Sequence, residues 1–264
     1  MIELSRTIRF CLAQDGSLSA DAPRDNTYAA WPPMRGLGSY YELTVTCRGE
    51  ADAATGYFMN IKRIDEAARA AGLPLVSAAA QSRDPAPLGR LLCDIIAAID
   101  VELDRSVAAV ALRLTPTYSL AIEKHSMAHV LVSQRYEFSA AHRLHAPALS
   151  DEENRRFFGK CNNPAGHGHN YQLEVTVRCP LDDRGSVLAA EQLDALVQRA
   201  IVEKLDHKHL DQDVPQFRGI NTTVENIARV VYQMLRDEVP RVGVELDKVR
   251  VWETSKTVCT YRGD

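Results

Sequence analysis

No run of about eighteen apolar residues occurs anywhere in this 264-residue chain, so the sequence offers no membrane-spanning helix. Basic charge is not in excess: 31 Lys and Arg stand against 35 Asp and Glu, a net charge of −4. With no dominant basic field, nucleic acid is not expected as the main partner. The six cysteines, Cys11, Cys47, Cys93, Cys161, Cys179 and Cys259, include no CxxC pair. The opening MIELSRTIRF lacks an apolar h-region, so no secretory signal is expected. The cysteines then read as reduced thiols rather than a disulfide frame, and a cytoplasmic location is the expectation.

What is present is a globular composition, 45% hydrophobic and 25% charged, long enough for one large domain or two of ordinary size. Histidine is unevenly spread, with six of eight between positions 142 and 209. Any chemistry is therefore expected in the C-terminal half.

In that half HVLVSQRYEFSAAHRL is rich in strand formers, and NYQLEVTVRC alternates Tyr171, Leu173, Val175 and Val177 on one face. Leu193, Leu196, Val197, Ala200 and Ile201 recur at helical spacing, as do Val224, Ile227, Ala228, Val231 and Leu235. Thr222 with Glu225 fits a capping box for the second helix. LDKVRVWE and TVCTYR close the chain as two strands. The order β-β-α-α-β-β predicts an α+β fold: an antiparallel sheet with both helices on one face.

The N-terminal half repeats this order. GLGSYYELTVTC (36–47) set beneath GHGHNYQLEVTV (166–177) agrees at six of twelve positions. The chain reads as a tandem duplication, residues 1–125 and 129–264, joined near EKHSMAH (123–129). Polar groups do not repeat: in that register His167 faces Leu37, His169 faces Ser39, Cys161 faces Trp31 and His142 faces Gln14.

The segment KCNNPAGHGHNY (160–171) sets Cys161, His167 and His169 among turn residues. HxH on a strand turns both imidazoles to one face, and His142 ends the strand expected to pair with it. Three neutral imidazoles would bind Zn²⁺ and leave one position open, the pattern of a catalytic site; ordinary surface histidines are the plainer alternative. Cys161 could be a small buried residue, or a thiolate able to take a proton beside a cation. In LDHKHLD (205–211), Asp206 beside His207 could be an acid/base pair. His209 and Lys208 equally suit a solvated helix end. Glu253, in VWET, is a poor strand former that could grip a donor-rich heterocycle if it points inward.

FSAAHRL, SDEENRRFFGKCNNPAGHGHNY, LDHKHLD, TTVENIA and VWET, from about residue 130 to the C-terminus, resemble the successive motifs of the 6-pyruvoyl-tetrahydropterin synthase family. The resemblance implies the tunnelling fold and a zinc lyase of tetrahydrobiopterin biosynthesis, converting 7,8-dihydroneopterin triphosphate to 6-pyruvoyl-tetrahydropterin with release of triphosphate. It implies His142, His167 and His169 as zinc ligands, Cys161 as general base, and Asp206 with His207 as acid/base partners. Glu253, with Thr223 nearby, is implied to hold the pterin. It also implies a homo-oligomeric β-barrel assembly, in which a duplicated chain could supply six tunnelling-fold units from three copies or form larger rings in which halves alternate. A relative, 6-carboxy-tetrahydropterin synthase of the queuosine pathway, shares fold and ligands. Its cysteine usually lies closer to HGH than here, where NNPAG separates Cys161 from His167. A zinc-holding pterin binder without turnover is the non-enzymatic alternative.

Overall fold

The computed structural model describes residues 1–18, 32, 36–84 and 86–263. It divides into two compact units, Met1–Val132 with Cys179–Val187, and Ser133–Arg178 with Leu188–Asp264.

The first unit contains β1 (Ile2–Ala13), β2 (Gly38–Gly49), α1 (Ile61–Ala67), α2 (Leu73–Gln81), α3 (Leu88–Glu102), β3 (Val107–Arg113) and β4 (Tyr118–Glu123). A π-helical turn, Ala68–Gly72, joins α1 to α2. The strands pair antiparallel in chain order. Helix α3 buries Leu92, Ile95, Ile96 and Ile99, one apolar stripe, while Ile8, Phe10, Leu43 and Val45 supply the sheet side of the core.

In the second unit follow β5 (His129–His142, its residues from 133 onward), α4 (Asp151–Phe158), β6 (His167–Pro180), α5 (Ala190–Val197), α6 (Glu203–Leu205) and β7 (Lys208–His209). Then come α7 (Leu210–Asp213), α8 (Val224–Arg236), β8 (Glu245–Thr254) and β9 (Thr257–Tyr261). The sheet order is β5-β6-β8-β9, with β6, β8 and β9 antiparallel and the short β7 parallel to β5. A second π turn, Gln198–Val202, separates α5 from α6.

Both helical stripes expected from the sequence face the core. Leu193, Leu196, Val197, Ala200 and Ile201 are buried, and so are Val224, Ile227, Ala228, Val231 and Leu235 of α8. Each of the Leu, Val and Ile side chains contributes about 1.5–3 kcal/mol of burial. The strand pattern of β6 holds too, with Tyr171, Leu173, Val175 and Val177 fully buried.

Three details differ from the sequence reading. The polar face of β6 is enclosed in its middle: Glu174 is 7% exposed, gripped by Arg135 Nε at 2.9 Å and Arg250 Nη1 at 3.4 Å. Ionic partners offset a desolvation cost that alternation alone cannot reveal. Helix α8 is capped by Thr223, whose hydroxyl accepts the Asn226 N–H, and not by Thr222, which is fully buried and bonded elsewhere. The capping box lies instead at Ser150 and Glu153 and starts α4, a helix absent from the expected order. Only Asn154 of α4 is buried, so it carries no apolar stripe to betray it.

Candidate active site

His142 is the last residue of β5 and is fully buried; His167 and His169 open β6, with exposed Gly168 between them. Strand alternation turns both β6 imidazoles to the side where β5 ends. Nε2 of His142 lies 3.1 Å from Nε2 of His167, and the three residues offer ligand nitrogens all within 4.8 Å of one another. Tyr171 follows two residues on, its ring stacked on Phe138 at 5.1 Å and edge-on to His169 at 5.5 Å, so the imidazoles rest on an aromatic base.

Nδ1 of His142 donates to the Thr222 carbonyl at 2.8 Å. That bond selects the Nδ1–H tautomer and leaves Nε2 with a free lone pair aimed at His167. Burial pushes the pKa of His142 down, opposed by the Thr222 bond; burial likewise lowers His169, opposed by Glu253. Neutral imidazoles are the metal-binding form. His167 Nδ1 and His169 Nε2 are buried with no hydrogen-bond partner. Nitrogens about 2.05 Å from one tetrahedral ion stand roughly 3.3 Å apart, which suits the 3.1 Å contact.

Glu253, near the end of β8, points its Oε1 at this cluster, 3.5 Å from His142 Nε2 and 3.8 Å from His169 Nε2. Beside the cluster opens a cleft of about 500 Å³ walled by Ser139, Gly168, His169, His207, Lys208 and His209 among others. Asp206 accepts the Ser139 N–H at 2.7 Å and pairs with His207 Nδ1 at 2.7 Å. The Ser139 N–H, then His207, holds its carboxyl below the ordinary Asp range. His207 itself has φ of +57°, a left-handed conformation uncommon outside glycine, and is one of the residues walling the cleft.

Cys161 is half-buried on the 3₁₀ turn Gly159–Asn162, its carbonyl accepting the Leu144 N–H at 2.9 Å. It is not among the residues walling the cleft, and neither is Thr223, whose hydroxyl is used in the helix cap. Thr222 orients His142, yet the sequence gives Thr222 away only as a suspected cap. Its useful group is a carbonyl, and backbone acceptors leave no trace in residue type.

Gly166 explains part of the glycine content of the motif. Its φ is +74°, and a Cβ there would stand 2.6 Å from His209 Nε2 and 3.0 Å from the His142 carbonyl. Gly166→Ala is expected to lower stability by about 1–2 kcal/mol through backbone conformation alone, with the contacts adding to it. A urea midpoint unchanged from wild type would contradict that.

The family described as 6-pyruvoyl tetrahydropterin synthase matches residues 131–264, slightly more than half of the chain and all of the site just described. The chain belongs to the 6-pyruvoyl tetrahydropterin synthase family. It is therefore a lyase of that type. It is similar to 6-pyruvoyl tetrahydrobiopterin synthase of Homo sapiens, 48% identical over 134 residues, covering 50% of this chain and 91% of that protein. The Drosophila melanogaster enzyme of the same name is 45% identical over 133 residues, covering 50% and 79%. The solved 6-pyruvoyl tetrahydropterin synthase of Caenorhabditis elegans aligns over 52% of this chain and 96% of its own, at 39% identity and TM-score 0.49.

Outside the family match, the first unit has a cleft of about 400 Å³ walled by Gln14, Leu37, Ser39 and Tyr41 among others. Among the described residues the His142–His167–His169 group is the one cluster with metal-ligand geometry. Trp31, set opposite Cys161 by the repeat register, lies outside the described residues. No helix among the described residues is long and apolar enough to cross a membrane.

Proposed function

We propose that this protein is a zinc-dependent carbon–oxygen lyase that converts 7,8-dihydroneopterin triphosphate to 6-pyruvoyl-tetrahydropterin and releases triphosphate. The observation carrying this reading is the convergence of three imidazoles, one with its tautomer set, inside a segment that matches the family throughout. His142, His167 and His169 would hold the ion. Bound there, zinc would lower the pKa of substrate hydroxyls and stabilise developing negative charge. Cys161 is assigned the removal of a carbon-bound proton as the C–O bond to triphosphate breaks. The Asp206–His207 pair supplies and receives protons at the exposed side of the cleft, Asp206 fixing the ring through Nδ1 so that Nε2 meets substrate.

Five residues between Cys161 and His167 favour the pyruvoyl over the carboxy product. Incubation with 7,8-dihydroneopterin triphosphate, read by mass spectrometry together with released triphosphate, tests the assignment. The 6-pyruvoyl product supports it; the 6-carboxy product redirects it, and neither product leaves a zinc and pterin binder.

Glu253 and Thr223 are assigned to the pterin, whose amino and ring N–H groups a carboxylate accepts as a pair. Its present position against His142 and His169 raises a second reading, a further metal ligand. Glu253→Gln keeps shape but turns a donor toward donors. Pterin affinity is expected to fall at least tenfold with zinc content unchanged; loss of zinc instead would favour the ligand reading.

The first unit is read as a duplicated copy without ligands. Supporting this, both units share an order of two strands, helices and two strands, to which the second adds α4 between its first two strands and β7 among its helices; each carries a π turn, at Ala68–Gly72 and Gln198–Val202. Among the described residues β1 and β9 stand at the two ends of the strand order, and end strands need partners or cover. Three copies associating through such edges would give six tunnelling-fold units.

A further inference from the structure

Asp211 lies in α7, next after the β7 strand, and its two carboxylate oxygens serve different parts of the chain. Oδ2 accepts the backbone N–H of Arg143, the residue directly after His142, at 2.7 Å. Oδ1 accepts the Thr222 hydroxyl at 2.6 Å. Thr222 is fully buried, its hydroxyl also 3.3 Å from the Arg143 carbonyl, and its own carbonyl takes His142 Nδ1. One carboxylate thus ties the backbone that carries the imidazole to the segment that orients it. A second titratable group faces it: His209, its Nδ1 3.4 Å from Asp211 Oδ2 without hydrogen-bond geometry.

We propose that Asp211 is a positioning residue for His142, holding the Thr222 carbonyl against Nδ1 so that Nε2 stays turned to His167. The role rests on the zinc reading and concerns the same site. Charge-assisted bonds from a carboxylate are about twice as strong as neutral ones. Without them the Arg143 N–H loses its acceptor, and Thr222 keeps only the weaker bond to the Arg143 carbonyl.

The test uses the full chain, with zinc affinity from chelator competition, the visible spectrum of the Co²⁺-substituted protein, and the ¹⁵N signals of His142 in metal-free protein. Asp211→Ala is expected to weaken zinc by about 10- to 100-fold. It should also change the Co²⁺ bands and mix the His142 tautomers. Asp211→Asn should recover most of the affinity. Its oxygen can accept from Arg143 while its amide donates to Thr222, whose proton then goes to the Arg143 carbonyl. Thr222→Val removes the hydroxyl but keeps the carbonyl, and should weaken zinc less than Asp211→Ala does. Wild-type affinity, spectrum and tautomer in Asp211→Ala would overturn the proposal. So would an Asp211→Asn protein as impaired as the alanine variant. If Asp211→Ala does not fold, a wild-type Thr222→Val overturns it equally. A wild-type protein that takes up no zinc refutes the metal reading instead, and the metal-free tautomer comparison then decides the role of Asp211.

Discussion

Zinc content is expected to drop from one ion per chain to near zero when His167 or His169 is replaced by alanine, and lyase turnover with it. Each substitution removes one of three nitrogens grouped within 4.8 Å, and the remaining pair leaves two open positions on a tetrahedral ion. The fold itself should tolerate the change. Both side chains sit at the first residues of β6, whereas the strand's core contacts begin at Tyr171. Elemental analysis of purified protein together with a far-ultraviolet circular dichroism spectrum separates the two effects. Full zinc retention in a folded His167→Ala or His169→Ala protein would remove the metal assignment.

Cys161→Ala should leave zinc and fold intact while turnover falls by about 10²-fold or more, the range of general acid–base catalysis. The bond that the Cys161 backbone makes, Leu144 N–H to its carbonyl, survives in alanine, and the half-buried thiol is not part of a packed core. A structural role therefore predicts little change, and a catalytic role a large one. The experiment matters because the thiol does not line the cleft beside the imidazoles. Near wild-type turnover would return Cys161 to a small turn residue and place proton abstraction elsewhere.

Much of the second unit was legible in residue order. Alternation placed Tyr171, Leu173, Val175 and Val177 on a buried strand face, and helical spacing found the stripe from Val224 to Leu235, because burial repeats with the period of the backbone. The HxH spacing put His167 and His169 on one side, and FSAAH pointed to His142 as their neighbour; the structure brings those three together. Helix α4 escaped because a helix with one buried residue has no apolar period to read. The cap of α8 was displaced by one position, since neighbouring threonines are alike in sequence and differ only in what surrounds them.

The sequence by itself determined the family, the strand and helix periods, and the residue types able to bind a metal, because these depend on side chains a few positions apart. Only the tertiary structure decided that Glu174 lies enclosed between two arginines, that Glu253 turns toward the imidazoles, and that the Thr222 carbonyl selects the His142 tautomer. Each of these joins residues 39 to 111 positions apart, through charges or backbone atoms whose partners are chosen by packing and not by local pattern.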